Sequence, residues 1–143
     1  QDDHNFVKLM FRAVIKTSRG GASGTRMQPG TIDLIMEEND IAKSVGSFDL
    51  KEAVTAERPL YLRLEKKGSL YTAFYSLDGV GFEKLGTADM LLKDVRAGLM
   101  VGDGIVTQYM KSTFWFDSDT TKPPTPWDVT FDYFRMVSSG LKP

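Results

Sequence analysis

Cysteine is absent from this 143-residue chain and histidine occurs once. The first absence excludes a disulfide scaffold, a thiolate zinc site and a cysteine nucleophile, while leaving export open, because many exported bacterial proteins dispense with disulfides. The second ties any Ser-His-Asp triad or multi-histidine metal centre to His4, which stands beside Asp2 and Asp3 at the start of the chain. No run approaches the roughly 18 apolar residues of a membrane span. No basic-then-apolar segment opens the sequence at Gln1, so it reads as a mature or trimmed chain. A formal charge of -1 gives no electrostatic case for nucleic acid or an anionic membrane as partner. Amphipathic helical periodicity is also nearly missing.

What is present is ordinary globular composition, 41% apolar and 26% charged, in a length that fits one domain over residues 1–143. The regular pattern is alternation with period two. Across residues 6–15, Val7, Leu9, Phe11, Ala13 and Ile15 share one face, and Lys8 and Arg12 share the other with Phe6, Met10 and Val14. Residues 17–30, with Gly20, Gly21, Gly24, Pro29 and Gly30, read as a hairpin loop, and residues 31–36 as the return strand. Over residues 37–59 the pattern is weakest; Asp49 and Glu52 are placed to cap a short helical turn over 49–54. Residues 61–65 and 70–76 form the clearest hairpin, around Lys67-Gly68-Ser69. Asp78-Gly79 then marks a second tight turn, with Gly79 expected at positive φ. Further strands are expected over residues 96–101, 106–116 and 128–137. Roughly eight strands with frequent turns predict an all-β, antiparallel two-sheet β-sandwich or barrel.

The segments Tyr61-Leu62-Arg63-Leu64-Glu65-Lys66-Lys67-Gly68, Tyr71-Thr72-Ala73-Phe74-Tyr75-Ser76-Leu77-Asp78-Gly79 and Phe82-Glu83-Lys84-Leu85-Gly86 resemble the central hairpins of concanavalin A-like lectin/glucanase domains. The similarity is greatest to DUF1349-type modules appended to family 43 glycoside hydrolases. Ala97-Gly98-Leu99-Met100-Val101-Gly102 and Val129-Thr130-Phe131-Asp132-Tyr133-Phe134-Arg135-Met136 resemble the later strands of that fold. The resemblance implies a jelly roll, a secreted or extracellular bacterial setting, and an accessory domain of a glycan-degrading enzyme. Relatives begin with strands that precede the counterpart of Asp3-His4-Asn5-Phe6, so the N-terminal strands are expected to be missing, with a preceding segment or a second copy beside residues 6–15. Ser76-Leu77-Asp78-Gly79-Val80-Gly81-Phe82 resembles a sialidase Asp-box with its glycines out of step, and reads as a hairpin turn alone.

No catalytic residues are assigned. Glycoside hydrolysis needs two carboxylates across the scissile bond, about 5 Å apart for retention and wider for inversion. The Glu-x-Asp-x-x-Glu spacing of catalytic relatives is absent, and the acidic cluster Asp33, Glu37, Glu38 and Asp40 reads as charge solvating a strand end. Sugar binding is the better lead, because a sugar's C–H face stacks on aromatic rings while its hydroxyls meet charged groups. The candidate ligand-binding residues are Arg63, Glu65, Tyr75, Trp127, Trp115 and Tyr109. Arg63 and Glu65 share a strand face, and register decides whether Tyr71 and Tyr75 or Thr72 and Phe74 join them. Trp127 stands in an extended loop with Pro123, Pro124 and Pro126. Asp2, Asp3 and Asn5, or Asp117 and Asp119, are candidate oxygen ligands for a structural calcium, without the spacing of a known loop. The expected function is a non-catalytic carbohydrate-binding module with a polysaccharide or oligosaccharide as ligand and a covalently linked catalytic domain as partner. The competing readings are a structural sandwich that braces such a domain, and a hydrolase or lyase.

Overall fold

The computed structural model describes residues 5–17, 25–99 and 130–137. The chain divides into two compact units, Gln1–Asp94 and Val95–Pro143. The first is all-β, with two antiparallel three-stranded sheets and no helix among the described residues.

Sheet one contains β1 (Asn5–Thr17), β2 (Thr25–Glu38) and β3 (Ile41–Asp49), with β2 in the centre. The β1–β2 ladder runs from Asn5 opposite Glu38 to Thr17 opposite Thr25, with a shift between Arg12 and Val14 where Pro29 and Gly30 oppose Ala13. β2 starts at Thr25, inside the stretch expected to be loop, and the bulge is where Pro29 and Gly30 are accommodated. A proline has no N–H to give a ladder, but at a bulge none is required. The ring of Phe11 lies over Gly30, where a Cβ would sit 2.4 Å from it. Among the described residues β1 pairs with β2 alone.

β3 was not foreseen. Asn39 and Asp40 take φ of 52° and 64°, the two positive values that a type I′ hairpin requires, and Asn and Asp reach this region at less cost than other non-glycine residues. The expected helical turn over residues 49–54 does not form. Asp49 ends β3 and accepts a hydrogen bond from Thr31 Oγ1 (2.8 Å), while Glu52 pairs with Arg58. Their side chains are thus engaged across the sheet and the loop, and neither caps a helix.

Sheet two is a meander of β4 (Tyr61–Lys67), β5 (Leu70–Ser76) and β6 (Glu83–Asp89). Gly68, at φ 62°, leads the two-residue turn between β4 and β5, so Lys67 faces Leu70 and Arg63 faces Phe74. Gly79 has φ 75°, as its place after Asp78 predicts, and Tyr61 packs against it.

Period-two alternation turns one face of each sheet toward a shared core. Leu34 of β2 packs with Tyr71, Ala73, Ala88 and Met90, flanked by Val7, Leu9, Val45 and Leu85. Ile32, Leu50 and Tyr75 form the adjoining cluster with Phe11, Phe48 and Leu60. Burying side chains of this size contributes about 1.5 to 3 kcal/mol each. The sheets touch beside two bulges, Val45 in β3 and Leu85 in β6. Beside each bulge stands a glycine. A Cβ on Gly46 would lie 2.6 Å from the Leu85 carbonyl oxygen, and one on Gly86 would lie 2.7 Å from that of Val45. The two backbones therefore touch where side chains are missing, and the two bulged residues drop into the core on either side.

In the second unit, residues 95–99 and 130–137 are described; they are exposed and carry no strand. Strands were expected over 96–101 and 128–137; their described parts, residues 96–99 and 130–137, are not in a ladder. Alternation favours extension, but a strand exists only when a neighbour completes its ladder. Residues 106–116 lie outside the described residues.

Candidate functional site

The face of sheet two turned away from the core carries Arg63 and Glu65 from β4, Thr72 and Phe74 from β5, and Lys84 from β6, since residues paired across a ladder share a face. Phe82 joins them from the segment just before β6. The Arg63 guanidinium carbon sits 4.5 Å from the centre of the Phe74 ring and 4.4 Å from that of Phe82. Such cation–ring contacts contribute about 0.5 to 1 kcal/mol each at an exposed site. Arg63 Nε also pairs with Glu65 Oε1 at 3.2 Å, on the same strand two residues on. The Arg63 side chain remains 45% exposed. This pair therefore fixes direction more than it adds stability.

Tyr75 is not part of this face. It points into the core, buried, with its ring stacked on Phe48 at a centroid distance of 4.7 Å. Its hydroxyl donates to Glu83 Oε2 (2.8 Å). Burial, then the hydrogen bond and the charge of Glu83, push its pKa up to about 12. The register thus selects Phe74 and Thr72 as neighbours of Arg63, and corrects the expectation that Tyr75 would stack on a sugar beside it. Tyr71 lies on the same inner face, also with its pKa raised by burial, and its hydroxyl finds no hydrogen-bond partner among the described residues.

The outward face of sheet one holds the other concentration of charge. Asp33, Ile35 and Glu37 alternate along β2 with relative exposures of 5%, 0% and 1%. Arg12 Nη2 donates to Asp33 Oδ2 (3.1 Å), and Ser47 Oγ donates to Asp33 Oδ1 (2.8 Å). Lys8, facing Ile35 on β1, has its pKa lowered by burial, with the charge of Glu37 acting in the opposite direction. The acidic residues read as solvating a strand end are therefore divided: Glu38 and Asp40 are exposed, whereas Asp33 and Glu37 are buried on the central strand. The sequence signal for this was the matching alternation of Lys8 and Arg12 on β1. Three residues of strand lie between Asp33 and Glu37, roughly 13 Å between Cα atoms.

The turn after β5 is closed on itself. Ser76 Oγ accepts from the Gly79 N–H (3.0 Å), and Asp78 Oδ1 accepts from the N–H groups of Val80 (2.8 Å) and Gly81 (2.9 Å) and from Ser76 Oγ (2.8 Å). These bonds, those of Val80 and Gly81 first, hold the Asp78 carboxyl below the usual carboxylate range. It is a hairpin turn, as read from its glycine spacing.

Trp115, Trp127 and Tyr109 lie outside the described residues, as do His4, Asp2, Asp3, Asp117 and Asp119. Asn5 Oδ1 accepts a hydrogen bond from the Asn39 N–H (3.1 Å), which ties the start of β1 to the β2–β3 turn. Among the described residues no three His, Asp or Glu side chains gather to hold a metal ion. No family model matches the chain, and neither a curated protein nor a solved structure matches it.

Proposed function

We propose that this chain is a non-catalytic carbohydrate-binding module on a concanavalin A-like β-sandwich with jelly-roll topology, serving a secreted glycan-degrading protein. The observation that carries the reading is the cluster on the outward face of sheet two, where exposed Arg63 and Glu65 meet half-buried Phe74 and Phe82. A sugar needs an apolar ledge and oriented donors and acceptors, and this face supplies both on rigid strands. Two antiparallel sheets with a core between them, and the β4–β5–β6 meander, fit the proposed sandwich. The non-catalytic part is supported by Asp33 and Glu37. Asp33 is buried and engaged by Arg12 and Ser47, and Glu37 is buried on the same strand, so neither carboxylate is presented to a substrate. Trp127, Trp115 and Tyr109 enter the proposal from sequence alone.

A second reading, a module that braces a linked catalytic domain, is favoured by Leu62 and Leu64. They lie on the core side of β4 yet are 39% and 41% exposed, an apolar edge fit for a neighbour. Calorimetric titration with xylan- and arabinan-type oligosaccharides separates the two readings. Binding that Arg63→Ala weakens, with the melting temperature held, supports a sugar module. Silence across a polysaccharide panel leaves the brace.

A further inference from the structure

We infer that the Arg63 cluster recognises the carboxylate of an acidic sugar, so that the ligand is a uronic acid-bearing glycan; this rests on the carbohydrate reading above. A guanidinium offers its hydrogen-bond donors in one plane, along a side edge that includes Nε and an end edge formed by the two Nη groups. In Arg63 the Nε is turned to Glu65 at 3.2 Å, and the rings of Phe74 and Phe82 stand 4.5 and 4.4 Å from the guanidinium carbon. The end edge makes no hydrogen bond to any described residue, and the side chain is 45% exposed. What remains for a ligand is two parallel N–H groups whose direction is already set. A carboxylate takes both at once, whereas a neutral hydroxyl accepts from one and leaves the other to water.

The surroundings agree in sign. Lys84 lies opposite Phe74 on the same face, so Arg63 and Lys84 outnumber Glu65 around the rings. Bracing by two rings reduces the side-chain freedom lost on binding, which is the usual cost of using arginine on a surface. The ring edges give the C–H groups next to a sugar carboxylate an apolar surface to meet. A sulfate ester can take the same fork, so a sulfated probe is the control that separates the two anions.

The test is calorimetric titration of the full chain with four probes: oligogalacturonate, its methyl ester, a neutral xylo-oligosaccharide and a sulfated neutral oligosaccharide. Arg63→Lys and Arg63→Gln are titrated in parallel, with thermal melts on each. The acid should bind about tenfold tighter than its ester, and Arg63→Lys, which keeps the charge and loses the fork, should weaken the acid by a similar factor while leaving the melt in place. Equal binding of acid and ester overturns the carboxylate while the carbohydrate reading stands. Tighter binding of the sulfated probe overturns it in favour of a tetrahedral anion, and full affinity in Arg63→Lys overturns the fork. Binding of none of the four removes both readings together.

Discussion

The central strands β2 and β5 each turn one face to the shared core, and their opposite faces are finished in contrasting ways. On β2 the outward Asp33, Ile35 and Glu37 are buried, and the carboxylate of Asp33 is answered by Arg12 and Ser47. On sheet two the outward Arg63 stays in contact with water, steadied by two phenyl rings and one exposed carboxylate. The same alternation therefore yields two kinds of charge. A buried charge is costly to strip of its partner, because nothing replaces the lost contact, whereas an exposed one can be removed at little cost to folding and is available to a ligand.

The sharpest way to break this contrast is to cut one charge from each face. Asp33→Ala should destabilise by about 3 kcal/mol, since it leaves Arg12 and Ser47 without their acceptor, and Arg63→Ala by about 1 kcal/mol, the low end of its two ring contacts together. Urea unfolding midpoints of the two variants decide it, and equal losses would abolish the distinction between the faces. Next in size is the contact between the sheets. Gly86→Ala places a methyl against the Val45 carbonyl and should cost about 2 to 3 kcal/mol. Gly46→Ala presses on the same contact from the other sheet, so the double variant should lose less than the sum of the singles in the same unfolding experiment.

A smaller effect separates the two tyrosines on the inner face of β5. Tyr75→Phe forfeits the hydrogen bond to Glu83 and should cost about 1 kcal/mol, whereas Tyr71→Phe removes a hydroxyl with no hydrogen-bond partner among the described residues and should be neutral or slightly stabilising. Thermal melts at neutral pH measure both. The tyrosines also give the fold an alkaline limit. The folded state holds the neutral phenol of Tyr75 up to about 12 against an ordinary value near 10, so its contribution is complete below the unfolded value and is lost as pH rises from there toward the folded one. Tyr75→Phe should flatten the fall in melting temperature across that window. An unchanged slope would place the alkaline transition elsewhere, Tyr71 being the next group to replace.

Most of sheet two was legible in the sequence. Gly68 and Gly79 sit where turns need positive φ, and the alternation between them marks β5. The register that decides the site hung on whether the first turn has two residues or three. Two loop residues pair Arg63 with Phe74 and send Tyr75 inward; three would have shifted every partner. Sheet one was harder. Pro29 and Gly30 look like loop chemistry, and they are so at a bulge inside a strand. β3, with Lys43, Ser44, Gly46 and Ser47, has too few apolar residues to show its period, although Asn39-Asp40 carried the hairpin signal. Phe82 gave no sign of its role, because it reaches Arg63 from outside a strand.

The sequence by itself determined that the first unit is built of strands: period-two patterning, turn residues with access to positive φ and the lack of helical periodicity are local properties, set by each residue's own backbone and neighbours. It also determined the classes of chemistry that cysteine and histidine would have brought. Only the tertiary structure decided which carboxylates are buried and which arginine is exposed. Burial belongs to surfaces brought together from distant parts of the chain, as when Asp33 meets Arg12 and Ser47 from the two flanking strands. One residue of register is enough to move a side chain from the core to the solvent face.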